Sequence, residues 1–163
     1  KAQPTVLLSA ASGMSSSSSA DAIQGILNQF NLSEDQAMHV ADTVEKLSSE
    51  IALDFSKGCD TISQSIATSG SVVNEAGMSF EKYAALVSTT AEKTRVSGSQ
   101  IGNAFKTIFS RISRSKDVLT TDAEMSDAEA ALKSVGVSVR RADGDLRDIS
   151  DTLDDLNKVC IMQ

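Results

Sequence analysis

From Ala76 to Ile112 the chain reads AGMSFEKYAALVSTTAEKTRVSGSQIGNAFKTIFSRI, and this stretch constrains the fold more than any other. Its second half places apolar side chains at Ile101, Phe105, Ile108, Phe109 and Ile112, offsets of four, seven, eight and eleven. Those offsets put all five on one face of a helix. The first half opens at Gly77-Met78-Ser79, where Ser79 has the short hydroxyl an N-cap needs, and then aligns Phe80, Tyr83, Ala84 and Val87. The expected unit is two amphipathic helices joined by a glycine-bearing turn. Between their faces, TRVSGSQIG sets no nucleophile beside a base and gathers no metal-ligand side chains. The unit reads as built for packing.

Composition agrees. The only proline in 163 residues is Pro4, so long helical runs go uninterrupted. Hydrophobic residues make up 40% of the chain, but many are alanine, and the aromatics are five Phe, one Tyr and no Trp. At ~25 cal/mol per Å² of apolar surface, alanine-rich contacts gain less than leucine-rich ones, which predicts modest stability alone or reliance on neighbouring copies. The 26 serines imply many helix caps and loops.

The expected fold class is all-α: several amphipathic antiparallel helices with one short β-hairpin near the C-terminus. Residues 1–19 read as the end of a preceding helix plus a Ser-rich tract, which is either a linker or the frayed first turn of the next helix. Residues 20–136 read as the helical domain. In it Ile23, Ile26, Leu27 and Phe30 form a first apolar face, which Asn31 ends. Ser33 and Gln36 then have capping-box spacing ahead of a face through Ala37, Val40, Ala41, Val44, Leu47 and Ile51. Residues 56–76 have only weak periodicity, and Gly70 predicts a break or bend. A loop near Ser115 to Thr121 and a cap at Thr121 or Asp122 should lead to a helix burying Ala128, Ala131, Leu132 and Val135, stopped by Gly136. Residues 137–147, VSVRRADGDLR, alternate at period two around Asp143-Gly144, the expected hairpin. Residues 148–163 form a closing helix entered at Asp148 or Ser150, with Ile149, Leu153, Leu156 and Val159 as its face. The chain reads as an excerpt of a longer protein.

Candidate chemistry is sparse. His39 is the sole histidine, and spacing offers it only helix-surface neighbours, Asp35 and Asp42. Asp143, Asp145, Asp148 and Asp151 crowd a turn, but an EF-hand counted from Asp143 has its glycine at the second place rather than the sixth. A hairpin turn followed by acids at a helix N-terminus explains them. Cys59 and Cys160 lack zinc spacing and read as reduced thiols. Neither GxxxxGK[ST] nor GxGxxG occurs, so no catalytic, cofactor-binding or metal residue is expected. The net charge of −7 argues against non-specific binding to nucleic acid or anionic membrane, and no run is long enough for a membrane span. Charge is uneven: Lys93, Arg95, Lys106, Arg111, Arg114 and Lys116 enclose no acidic residue, whereas Asp117 to Asp155 is strongly acidic. Solvated helix faces are the plain explanation, with complementary charge between helices or copies the sharper one. The helix–turn–helix look of 79–112 does not suit base reading, because its second helix brings its basic residues late.

GMSFEKYAALVSTTAEKTRVSGSQIGNAFKTIFSRI resembles the central helical region of tail tape measure proteins from long-tailed bacteriophages and prophages. LNQFNLSEDQAMHVADTVEKL (27–47) and SVGVSVRRADGDLRDISDTLDDLNKV (134–159) follow that family's pattern in the same order, so the resemblance covers most of residues 20–159. It implies a structural segment that sets tail length and fills the tail tube during assembly, not an enzyme. It also implies a place in the virion tail after synthesis in the bacterial cytoplasm. The implied partners are other copies of the chain, the tail tube and the tail assembly chaperone proteins. Gly77, Ser79, Gly98, Ser99, Gly102, Phe105 and Phe109 match the family pattern, with packing roles. The alternative is a bacterial helical effector or adhesion module, which a neighbouring secretion cluster rather than tail genes would favour. An enzyme is a distant third.

Overall fold

The longest helix, α4 (Phe55–Glu75), is the axis on which the others are assembled. The computed structural model describes residues 2–51, 55–113, 127–142, 144 and 147–161. Within them α1 (Ala2–Ser12), α2 (Ser16–Gln29) and α3 (Ala37–Glu50) lie on one flank of α4, and α5 (Phe80–Thr94) and α6 (Gly98–Ser113) on another. Two further helices, α7 (Asp127–Ser134) and α8 (Ile149–Ile161), complete an all-α architecture.

Local chemistry accounts for most helix ends. Ser15 caps α2, its hydroxyl accepting the Ser18 N–H at 3.1 Å, so Ser16–Ser19 are a helical first turn and not a linker. Asn31, at φ 52°, ends that helix: the Leu32 N–H reaches back to the Leu27 carbonyl at 2.8 Å. Gln36 accepts the Ser33 N–H at 3.2 Å, the expected capping box, and a 3-10 turn (Glu34–Gln36) leads into α3. Gly136, at φ +83°, stops α7 in a Schellman motif, with Val137 N–H on the Leu132 carbonyl at 2.9 Å.

The core runs through Ile23, Ile26, Leu27, Val40, Val44, Ile62, Ile66, Val73, Phe80, Tyr83, Val87 and Ile101, and α1 adds Leu8. The faces expected on α3 and α5 are the buried ones: Val40, Ala41 and Val44, and Phe80, Tyr83, Ala84 and Val87.

Four expectations need correction. First, α4 passes through Gly70 without a break. A Cβ there would lie 2.9 Å from Gln29 Cβ and 3.2 Å from the Phe30 ring, so this glycine marks where α2 comes close.

Second, no strand forms among the described residues, so the hairpin is absent. The chain does reverse, with Gly144 N–H on the Arg141 carbonyl at 3.1 Å, and Val137 and Val139 are buried at period two. Among the described residues, a bond from Arg147 N–H to the Val139 carbonyl at 2.9 Å crosses the turn, and Arg140 forms an isolated bridge rather than part of a strand. Arginine side chains bind carbonyls of this reversal: Arg140 that of Gly144 and Arg147 that of Ser138. Asp143 and Asp145, at the tip, lie outside the described residues.

Third, Ile108 is 46% exposed, off the buried face of α6. Fourth, α7 leaves Ala131 and Val135 exposed and buries Glu129 instead, paired with Arg140 at 2.8 Å. The loop and cap expected over 115–122 fall outside the described residues, as do Arg114 and Lys116.

Candidate functional site

Two helices can approach closely only where both present small residues. Along α4, Thr61, Ser65, Thr68 and Ser69 recur at intervals of three and four, and along α6 Gly98 and Gly102 are four apart. The structure sets these rows against each other in the most extensive helix pairing of the fold. A Cβ on Gly98 would run into the Thr61 carbonyl. One on Gly102 would lie 2.7 Å from Thr68 Cβ and 2.9 Å from the Ser65 carbonyl oxygen. Those neighbours are largely backbone, so any larger residue forces the helices apart.

The serines of α4 have a second task. The Tyr83 hydroxyl, buried in the bundle, shares hydrogen bonds with Ser65 at 3.1 Å and Ser69 at 2.5 Å. Side chains short enough to admit α6 are thus polar enough to satisfy the phenol. Burial pushes the Tyr83 phenol up from its ordinary value, against the opposing pull of those two hydroxyls.

Around Tyr83 the rings interlock. Phe105 and Phe109 from α6 meet it edge-on, with centroids 5.7 and 6.2 Å away, and Phe30 from α2 approaches to 6.3 Å. Phe80 extends the cluster, 5.8 Å from Phe30. Five of the chain's six aromatic residues therefore form one contiguous group joining α2, α5 and α6.

Of the seven residues singled out in the sequence, Gly98, Gly102, Phe105 and Phe109 come together at this seam. Ser99 sits on its outer edge, its hydroxyl 3.3 Å from the Gln64 side-chain oxygen. Gly77 and Ser79 lie apart from it, at the α4–α5 turn. Gly77, at φ +91° with open space around it, ends α4, and Met78 N–H closes the Schellman bond to the Val73 carbonyl at 3.2 Å. Ser79 caps α5 by accepting the Lys82 N–H at 3.4 Å. Sequence reading missed Ser65 and Ser69 and took Gly70 for a break rather than a close contact; the three-and-four spacing of small residues in TISQSIATSGS was the available signal.

Titratable groups lie at the margins. His39 meets Glu81 on α5 at 2.8 Å, rather than the Asp35 or Asp42 expected from helix spacing. Lys82 holds Asp148 at 2.9 Å, and Arg147 holds Asp155 at 2.8 Å, fastening the C-terminal segment to itself and to α5. The Cys59 thiol is buried in α4, and that burial raises its pKa. Among the described residues no group of three or more His, Cys, Asp or Glu is placed to hold a metal ion. None of their helices is long and apolar enough to cross a membrane. What this arrangement does is mechanical: it locks three helices at short range.

Known proteins agree with that character. The probable tape measure protein of Escherichia phage P2 is 28% identical over 127 residues, which are 78% of this chain and 14% of that protein. The chain therefore spans a small part of its relative's length. No solved structure matches. The family profile described as phage-related minor tail protein matches residues 1–160, nearly every position from α1 to α8. This helical chain, with its distinctive residues committed to packing, thus belongs to the phage-related minor tail protein family.

Proposed function

We propose that the chain is a structural segment of a tail tape measure protein, which sets tail length and fills the tail tube during assembly, and that it catalyses no reaction. The observation that carries this reading is the family match across residues 1–160 of a chain in which Gly98 and Gly102 serve helix packing and Ser79 serves capping. The relative from phage P2, described as a probable tape measure protein, supports it. In this reading the partners are other copies of the chain, the tail tube and the tail assembly chaperone proteins. The segment is made in the bacterial cytoplasm and ends in the virion tail.

Tail length supplies the test. An in-frame deletion of residues 2–161 is made in the full-length gene of a phage that encodes it, and tails are measured by electron microscopy. At ~1.5 Å per residue, a segment acting as extended helix would shorten the tail by ~240 Å, and one acting as a folded bundle by less. Tails of unchanged length would overturn the proposal.

A further inference from the structure

We propose that two copies of this chain exchange α6, each opening the turn at Arg95 and laying its α6 on the α4 of the other. The proposal rests on the reading that the segment works beside copies of itself, and it names the surface they share.

The turn between α5 and α6 carries strain that the fold avoids elsewhere. Six of the described residues have positive φ. Four are glycine, and a fifth, Asn31, is of a type that tolerates the left-handed region comparatively well. The sixth is Arg95, at φ 56° and ψ 25°, closing α5. Glycine would adopt that conformation freely, whereas a residue with a Cβ is strained in it. An outlier of this kind is a pointer to function.

Only local bonds hold the turn. Residues 92–97 are all exposed. Arg95 N–H reaches the Ala91 carbonyl at 2.9 Å, and Ser97 N–H reaches Gln100 Oε1 at 3.2 Å. Among the described residues no hydrogen bond or ion pair ties 92–97 to any helix but α5 and α6. No proline lies between Phe80 and Ser113, and Gly98 is already helical. Arg95, Val96 and Ser97 therefore need only turn right-handed to make residues 80–113 one helix, ~50 Å long. Arg95 then loses its strain and becomes a favourable helix residue.

The receiving surface is the one α6 already occupies. It packs far more extensively on α4 than on α5, its neighbour in sequence. Gly98 and Gly102 fit the backbone of Thr61 and Ser65, and Phe105 and Phe109 fit Tyr83. A second copy brings the same glycines and rings in the same register. Exchange thus keeps the contacts of α6 with α4 and α5 and alters only the turn, which is why a short strained hinge favours it. Each copy gives one helix and receives one, so the pair closes with two-fold symmetry.

Gln64 on α4 and Ser99 on α6, whose side chains approach to 3.3 Å at the outer edge of the seam, provide the test. Two versions of the chain are made, both with Cys160→Ser, one carrying Gln64→Cys and the other Ser99→Cys. Cys59 is fully buried and stays out of reach. The two are refolded together from urea at high concentration and treated with a short bis-maleimide. Exchange sets residue 64 of one copy beside residue 99 of the other, so the versions should cross-link to each other well above the level either gives alone. Sedimentation velocity on the wild-type chain should show a dimer that grows with concentration. Arg95→Gly relaxes the closed turn and disfavours the open helix at two hinges per dimer, so the association constant should fall about a hundredfold or more. Arg95→Ala keeps the strain and the helix preference without the charge, and should dimerise like wild type. Four results would each overturn the proposal: a wild-type chain that stays monomeric, a dimer that does not join 64 to 99, an Arg95→Gly dimer as tight as wild type, or Arg95→Ala behaving as Arg95→Gly. This readout is independent of tail length, so the exchange can fail while the tape measure reading stands, and the reverse.

Discussion

Gly102 on α6 lies against Ser65 on α4 so closely that a Cβ added to it would sit 2.9 Å from the Ser65 carbonyl oxygen. Backbone meeting backbone at this range fixes the separation of the two helices, and with it the position of Phe105 and Phe109 on Tyr83. The contact leaves no flexible side chain to move aside.

Alanine at this position should therefore destabilise the fold, although alanine is the better helix former by ~1 kcal/mol. Forcing the helices apart costs ~1–3 kcal/mol, so the net effect of Gly102→Ala is a loss. Gly25, inside α2 with nothing within 4 Å of its would-be Cβ, is the matched control: Gly25→Ala should gain ~0.5–1 kcal/mol. Thermal unfolding should move the two variants in opposite directions, by ~2–4 °C per kcal/mol. A raised melting temperature in Gly102→Ala would refute the close-contact account.

The same seam shows what the sequence could disclose. Phe80, Tyr83, Ala84 and Val87 were legible because one face of α5 is buried along its length, so burial follows helical period. Gly70 was misread because the local cost of glycine is visible in sequence, whereas the close approach of Gln29 and Phe30 that demands it comes from residues forty positions away. The Asp143-Gly144 signal marked a chain reversal correctly. It could not show that two arginines would fasten the reversal through carbonyls instead of a strand pair forming. Ile108 was assigned to the core by spacing alone. The buried row of α6 steps by fours and threes through Gly98, Gly102, Phe105 and Phe109, two of them without side chains, and pattern reading gives glycines no weight. Ile108 lies about 100° round the helix from Phe109.

That rotation has a measurable consequence. Phe109 is buried and touches both Tyr83 and Phe105, so Phe109→Ala should cost ~3–5 kcal/mol. Ile108→Ala should stay within about 0.5 kcal/mol of wild type in the monomer. Urea unfolding at a concentration where the chain is monomeric separates them. Equal losses would mean the face had been placed wrongly.

The His39–Glu81 contact predicts an acid-side effect. Partial burial, the largest single influence, works to raise the Glu81 carboxyl, but hydrogen bonds from His39, the Glu81 backbone and Ser79, with the attraction of His39, together outweigh it, and the group sits below its ordinary value of 4.5. A depressed folded-state pKa contributes stability above that ordinary value and loses it as pH falls through the folded one. Both side chains are about half exposed, so screening limits the effect to about 0.5 kcal/mol or less. Glu81→Gln should be slightly less stable than wild type at pH 7 and indistinguishable from it at pH 3. A gap that persists at pH 3 would assign the effect to something other than the carboxylate charge.

The Tyr83 phenol predicts the opposite edge. Its folded pKa is raised from 10.0, so folding favours the protonated form. The resulting stability is complete below pH 10 and is lost as pH rises from there through the folded value, because the unfolded chain ionises first. At pH 7, Tyr83→Phe should cost ~1–2 kcal/mol, since it takes from Ser65 the partner its hydroxyl has at 3.1 Å, while Ser69 keeps its bond to the Ser65 carbonyl at 2.8 Å. Above pH 10 wild type should lose stability faster than the variant, so the gap between them narrows. The other ionisable groups are common to both chains and cancel in the comparison. Urea midpoints at pH 7, 9, 10.5 and 11 measure it, and a gap that stays constant across the series would show that the Tyr83 hydroxyl is not buried as described.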